Sequence, residues 1–312
     1  MPGTYPAAPP TLTGDLESIS RFLQSPTQLR RRLRDYTDLR FVSDQVLTQR
    51  FRTSGGAILY EQSEPFVTDR TVESVAPGAE YPFANLPTGT AAIASVSKWG
   101  QKVRITDEEI ARNVYAAAAV DRNLRKVVNS VIKQVDAITM SAVTSAVTAN
   151  VTATGSGSQR WGAASGTKIL YDILAAKAAI IGLNLGYKPD TLLMGDIAYA
   201  LIMSDTAVTN ALRREDSNNP IYSGQIEVIG GLTILVGGSM VGVDPYVLDS
   251  SQLGGMADEL DEAPGYAISD LAVQVKSMRK DDVDAFDLQG RRKTVPVVQE
   301  PGAACKITNA IT

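Results

Sequence analysis

The stretch "KVRITDEEIARNVYAAAAVDRNLRKVVNSVIKQVDAITMSAV", Lys102 to Val143, contains neither proline nor glycine, whereas the residues before it, from Phe51 to Ala92, are punctuated by both. Thr106 is followed three positions later by Glu109, a capping box, and Asp107 and Glu108 set negative charge against the positive end of a helix dipole. Apolar residues then recur at Ile110, Val114, Leu124, Val127, Val128, Val131, Val135, Ile138 and Val143, at helical spacings. Arg112, Arg122, Arg125, Lys126 and Lys133 fall largely between them. The pattern predicts one helix from Asp107 to about Thr148, roughly 60 Å long at 1.5 Å per residue. The stripe departs from a strict heptad and Ala116 to Ala119 offers only small knobs, which favours a long core helix over a coiled coil.

Composition narrows what surrounds this helix. The chain has 312 residues, 44% of them hydrophobic, enough to bury the core of one large domain or two ordinary ones. A net charge of −4 implies neither general nucleic-acid affinity nor disorder. No run of eighteen apolar residues occurs, and Met1 to Pro10 has neither a basic start nor an apolar core, so neither a membrane span nor a secretion signal is expected. The single cysteine, Cys305, lies beside Ala303, Ala304 and Ile307 and reads as a small packed residue. The chain has no histidine. That removes Ser-His and Cys-His nucleophile pairs, histidine metal ligands and the usual base poised near neutrality, and shifts the expectation away from an enzyme.

Working outward from the helix, residues 1–14 read as an extended arm rich in proline. A short helix is expected from Asp15 to Leu23, and a second opens at Ser25 with Pro26 in its first turn. The second carries Arg30, Arg31, Arg32 and Arg34 beside Leu29, Leu33 and Tyr36, a basic face suited to nucleic acid, to an acidic protein surface, or simply to water. From Phe51 to Ala92, "AILYEQ" and "FVTDRTVESV" alternate like strands, while Gly55-Gly56, Pro77-Gly78, Pro82, Pro87 and Gly89 mark turns. Such a ribbon has few core-sized side chains. An isolated two-stranded ribbon is marginal in water, so it needs another surface to lie on, the first sign of a chain built for assembly.

Beyond the helix, "TATGSGSQRWGAASG" reads as a linker. Helices are expected over about Lys168–Leu183 and Asp196–Met203, the latter capped by Asp196, with "TLLMG", "IEVI", "LTILVG" and "YVLDS" as short buried strands. The last part reads as strands, "LAVQVKSM" and "DVDAFDLQ", then "RRKTVPVVQ" after a turn near Gly290. Asp282, Asp284 and Asp287 alternate with apolar residues as on a half-exposed strand. The whole is a mixed α+β chain in which one β-containing domain is closed by both chain halves around an inserted α/β domain.

No catalytic or cofactor motif stands out. In "GAASGTK" (Gly162–Lys168) the spacing of glycines to lysine is wrong for a phosphate loop, and Gly155-Ser156-Gly157 lacks the third glycine of a dinucleotide site. "ADELDEA", with Asp258, Glu259, Asp261 and Glu262, lacks the alternating ligands and central glycine of a calcium loop and reads as a solvated acidic loop. No catalytic, cofactor-binding or metal residues are assigned.

The order of parts, with "KWGQKVRITDEEIARN" at the strand-to-helix junction, "LLMGDIAYALIMSD" in the α/β part and "YVLDSSQLGG" after it, resembles the major capsid proteins of tailed bacteriophages with the Hong-Kong-97-type fold. The resemblance covers nearly the whole chain and rests on order and lengths. It implies an N-terminal arm (1–50), an extended E-loop hairpin (51–92), a P-domain with a spine helix and β-sheet (93–154 and 267–312) and an inserted α/β A-domain (155–266). It further implies a non-enzymatic virion protein, assembled in the bacterial host cytoplasm, whose hexamers and pentamers tile an icosahedral shell around double-stranded DNA. Inter-subunit contacts are then expected from Leu59, Phe66, Val67, Tyr81 and Phe83 of the E-loop, and from the basic arm residues Arg30, Arg31, Arg32 and Arg34. Further candidate partners are a portal, a separate scaffold and decoration proteins, with no membrane and no cofactor. An encapsulin-type protein compartment is the alternative. Two departures stand out. Residues 1–97 contain no lysine, which excludes the isopeptide cross-link some relatives form from an E-loop lysine, and only about 50 residues precede the E-loop, so a separate scaffold or none is expected.

Overall fold

The computed structural model describes residues 41–311 apart from 64, 66, 113–115, 158, 164–165, 206–207, 209–225, 239–242, 261–262 and 269–271. The two short helices expected before residue 40, with their arginines, lie outside the described residues. In chain order the helices are α1 (Ser43–Val46), α2 (Asp107–Arg112), α3 (Ala116–Ala146), α4 (Ile169–Ile181) and α5 (Asp196–Ser204). The strands before α4 are β1 (Gln49–Arg52), β2 (Ala57–Gln62), β3 (Thr90–Ser95), β4 (Ser97–Thr106) and β5 (Asn150–Thr152). After it come β6 (Thr191–Met194), β7 (Val228–Ile229), β8 (Leu232–Val236), β9 (Tyr246–Leu248) and β10 (Gly254–Asp258). The last are β11 (Ala267–Ile268), β12 (Gln274–Lys280), β13 (Ala285–Val298) and β14 (Ala304–Thr308). The chain is mixed α+β.

By compactness these elements divide into two units. The first takes Gly100–Val131 and Asp261–Arg292. Its frame is the antiparallel pair of β12 with the first half of β13, from Gln274 opposite Arg291 to Lys280 opposite Ala285, flanked by β11 and β4. The expected turn near Gly290 is not there: β13 runs straight through it. Gly290 serves packing instead. A Cβ at this position would stand 2.8 Å from Val127 Cγ1, and one on Gly100 would stand 2.7 Å from the Gly290 carbonyl oxygen. The bare glycines let α3 and β4 approach the strand closely. The turn lies earlier, where Asp281–Val283 form a 3-10 turn and Asp284 takes a left-handed φ of 42°. Asp287, expected at a half-exposed position, is fully buried. α2 opens as predicted, the Glu109 amide donating to Thr106 Oγ1 at 3.2 Å.

The second unit takes Arg40–Trp99, Ile132–Leu260 and Lys293–Thr312. Its larger sheet has the order β5-β14-β9-β6-β8-β7, with β6 parallel to β8 and antiparallel to β9. All four residues of β6 are buried, as befits an uninterrupted apolar strand covered on both faces. α4 lies against β14 and β5. Cys305 is buried within β14, and the loss of solvent pushes its thiol up to about 11. A second set of strands pairs β1 with β10 in parallel and β10 with the end of β13 antiparallel. Asp258, expected in a solvated loop, is buried in β10, and Glu259 is paired with Lys293. The expected linker after α3 is a built loop. Asp172 of α4, itself buried, accepts hydrogen bonds from the Thr154 amide and from Trp161 Nε1, which folds the segment back onto the helix. The cap of α5 is Gly195, with Asp196 the first helical residue.

Candidate assembly surface

The ribbon of the second unit is built from β2 and β3, which pair antiparallel from Ala57 opposite Ser95 to Gln62 opposite Thr90. Side chains alternate across it. Ile58, Tyr60, Ala92 and Ala94 are half-buried on one face, while Leu59 and Ile93, directly opposite each other, stand on the exposed face. The partner of "AILYEQ" is therefore "TAAIAS", not "FVTDRTVESV": described residues from 67 to 76 make no strand. At the loop end the Ser63 amide donates to the Gln299 carbonyl at 2.9 Å, and at the other end the Val96 amide donates to the Gly56 carbonyl at 2.8 Å, adding a rung to the pairing.

The described residues between Ser63 and Gly89 form no sheet of their own, but several bonds hold them. The Ala79 amide donates to the Ala76 carbonyl across Pro77-Gly78, and Gly78 takes the left-handed φ of +85° that a type II turn requires. Asp69 accepts from the Asn85 amide at 2.9 Å and from Asn85 Nδ2 at 2.8 Å, clamping the outgoing limb to the returning one. Arg70 bonds Glu73 at 3.0 Å.

On this frame large apolar side chains stand exposed. Of the residues predicted for inter-subunit contact, Leu59, Val67, Tyr81 and Phe83 are 70%, 69%, 80% and 88% exposed, and Phe66 lies outside the described residues. Three more belong with them: Val72, Leu86 and Ile93 are exposed to a similar or greater degree. Ile93 falls just beyond the end assigned to the hairpin from its turn residues, and Val72 sits in the stretch read as a strand. So many large apolar side chains exposed on one segment are rare on a protein that stays alone, and mark a surface to be covered.

Elsewhere charged groups are spent on internal ties. Asp287 accepts from Lys102 Nζ at 2.9 Å and Arg104 Nε at 2.8 Å, and these bonds, the Arg104 one foremost, hold its carboxyl down to about 2. Arg279 reaches Asp107 at 2.6 Å, Asp281 at 3.0 Å and Asp284 at 3.5 Å, which raises its own pKa and lowers that of Asp107. Asp136 of α3 accepts from the Ser43 and Val42 amides at the start of α1, and burial raises its pKa. Among the described residues no group of three or more His, Cys, Asp or Glu is arranged to hold a metal ion, and no helix is long and apolar enough to cross a membrane.

Comparison with known proteins adds a family. The profile described as "Phage capsid protein" matches residues 89–307. No curated protein matches the chain in sequence. Among solved structures, the capsid of the cyanophage P-SCSP1u superposes with a TM-score of 0.61 at 13% identity, over 96% of this chain and 92% of that one. A virus-like particle from Pyrococcus furiosus gives 0.56 at 12%, over 89% and 97%. A protein of Microbacterium phage Oxtober96 gives 0.57 at 12%, over 86% and 90%. At these identities the likeness is one of fold.

Proposed function

The chain belongs to the phage capsid protein family, and from that premise we propose that it assembles as hexamers and pentamers into an icosahedral shell around the double-stranded DNA of a tailed bacteriophage. In this reading residues 51–92 are the E-loop, laid across a neighbouring subunit. Residues 1–50 are the N-terminal arm, 93–154 and 267–312 the P-domain with its spine helix, and 155–266 the A-domain. The observation that carries the reading is the clamped ribbon with Leu59, Tyr81, Phe83 and Ile93 exposed. Covering such side chains fully is worth about 1.5–3 kcal/mol each. Loop ordering and lost subunit freedom offset much of this, so each contact is modest and stability accumulates over a closed shell. A chain that binds its neighbour through a patch unlike the surface it covers makes head-to-tail contacts, which give rings when the rotation between neighbours closes.

The second reading, a protein compartment without a genome, is favoured by one observation, the match to the virus-like particle from Pyrococcus furiosus. Electron microscopy of the purified protein and the ratio of its absorbance at nucleic-acid and protein wavelengths separate the two. Closed particles carrying DNA support the capsid, and closed particles filled only with protein support the compartment. Absence of particles under all conditions contradicts both.

For the arm, Arg30, Arg31, Arg32 and Arg34 put four positive charges on little more than one helical turn beside the apolar Leu29, Leu33 and Tyr36. Like charges so close disfavour the helix unless anions are near. DNA would leave the apolar stripe uncovered, so we assign these arginines to acidic side chains of a neighbour or scaffold. An R30Q/R31Q/R32Q variant then assembles poorly even without DNA. Normal empty shells with lost genome retention contradict the assignment.

A further inference from the structure

We propose that Asp136 makes the docking of the segment Phe41–Leu47 onto α3 sensitive to protons, the segment being held more firmly when this carboxyl carries a proton than when it is ionised. The device belongs to the single chain and involves neither the ribbon nor a partner, so it stands or falls independently of the shell reading.

The segment lies where residues 1–40 join the body, and two kinds of contact hold it. Phe41, Val46 and Leu47 are buried. The Ser43 amide donates to Asp136 Oδ1 at 3.0 Å, and the Val42 amide reaches Oδ2 at 3.4 Å, beyond the usual length of such a bond. β10 packs on the same stretch of helix, Thr139 Oγ1 meeting Met256 Sδ at 3.7 Å. Asp136 is therefore shut in, at 6% exposure.

The charges around it give no compensation. On the elements gathered there the charged groups are Asp44 of α1, Arg50 of β1, Asp258 of β10 and, one turn earlier on α3, Lys133, which is exposed. Arg50 is engaged by Asp44 at 2.8 Å and by Asp258 at 3.9 Å. Of these groups only Asp44 acts on Asp136, and its charge has the same sign. A carboxylate taken out of water without a cation is costly, and one good amide bond offsets part of that cost. Burial accordingly raises the pKa of Asp136, with the amide bonds of Ser43 and Val42 opposing it.

The protonated form suits the same site. Its carbonyl oxygen still accepts from the Ser43 amide, and Ser43 Oγ, buried and without a hydrogen-bond partner, can accept from the new O–H. When the segment lifts away, the carboxyl returns to water and to its ordinary value of 3.8. Protonation thus favours the docked segment. This contribution is fully present below the ordinary value and is lost as pH rises through the higher value of the docked state.

The test is amide hydrogen exchange of residues 41–47, read by mass spectrometry in the full-length, unassembled chain between pH 8 and pH 4.5. Asp287, held down to about 2, stays ionised throughout. A D136N chain, which has no carboxyl to titrate there, is the reference, and comparison at each pH cancels the intrinsic pH dependence of exchange. From pH 8 to pH 4.5 the protection of 41–47 in the wild type, relative to D136N, is expected to rise by about two- to tenfold, the worth of one hydrogen bond. A constant ratio overturns the inference, and so does a falling one, which would make the ionised carboxylate the holding form. A second reading needs no variant: wild-type protection of 41–47 relative to 191–194 in β6 rises over the same interval, and its constancy or fall overturns the inference equally.

Discussion

The ribbon β2–β3 and the sheet β6–β9–β14 are made of the same kinds of residue and come to opposite ends. Leu192 faces Val247 across β6 and β9 with both side chains fully buried; Leu59 faces Ile93 across β2 and β3 with both open to solvent. Each pair has cross-strand partners and alternating geometry. The difference is cover: β9 is flanked on both sides by β6 and β14 and α4 lies against β14, whereas among the described elements the ribbon pairs only with itself and Leu59 and Ile93 stay exposed. Backbone pairing therefore specifies a strand in both places, but only the sheet completes its stabilisation within one molecule. In the loop beyond the ribbon, the bonds between Asp69 and Asn85 hold the two limbs together, so any partner that covers them meets a lower ordering cost.

The sharpest way to break this comparison is to cut matched side chains. Leu192→Ala in β6 is expected to cost about 2–5 kcal/mol of unfolding free energy, because it leaves a cavity in a packed core. Leu59→Ala should change the stability of the unassembled chain by less than about 0.5 kcal/mol and yet weaken assembly. Thermal unfolding of the two variants, compared with particle yield, checks both arms. Equal destabilisation would mean that the ribbon is covered within its own chain.

A smaller effect is expected from charge. The carboxyl of Asp287 is depressed to about 2 in the folded chain, against an ordinary value of 3.8. It therefore contributes stability that is fully present above the ordinary value and is lost as pH falls from about 4 towards 2. Lys102 and Arg104 are each about half exposed, so solvent screens part of the pairing. Asp287→Asn should cost about 1–2 kcal/mol at neutral pH and flatten the acid limb of stability over that range. Urea unfolding at pH 7, 4 and 3 measures it, and a variant with the wild-type pH profile would show that the pair does not stabilise the fold.

How legible this was from sequence depends on which forces decide each element. The core of α3, the apolar runs of β6, β8 and β9 and the capping of α2 by Thr106 are local: periodicity and turn chemistry within a few residues determine them. Gly290 reads as a turn because glycine often is one. Its role comes from Val127, far away in sequence, and no local pattern reveals a close approach. Asp287 was misplaced for the same reason, since a carboxylate on an alternating strand reads as exposed until Lys102 and Arg104 arrive from another strand. "FVTDRTVESV" alternates well enough for a strand, yet β2 pairs with residues nearer the returning end of the loop, and pairing partners are a property of topology. The exposed apolar surface is legible as a composition, large apolar residues in a segment too thin to bury them. Ile93 lies outside the expected hairpin because its end, Ala92, falls one position too early, within β3.

The central claim is that the ribbon's exposed side chains are completed by a second copy of this chain. Sedimentation velocity of the wild type and of an L59S/Y81S/F83S variant at micromolar concentration, with limited proteolysis of residues 52–92 in each, tests it most directly. The account predicts capsomers or closed particles with a protected ribbon for the wild type, and a folded single chain cut within the ribbon for the variant. A wild-type chain that sediments as a folded monomer with its ribbon already protected, or a variant that assembles as the wild type does, would contradict it.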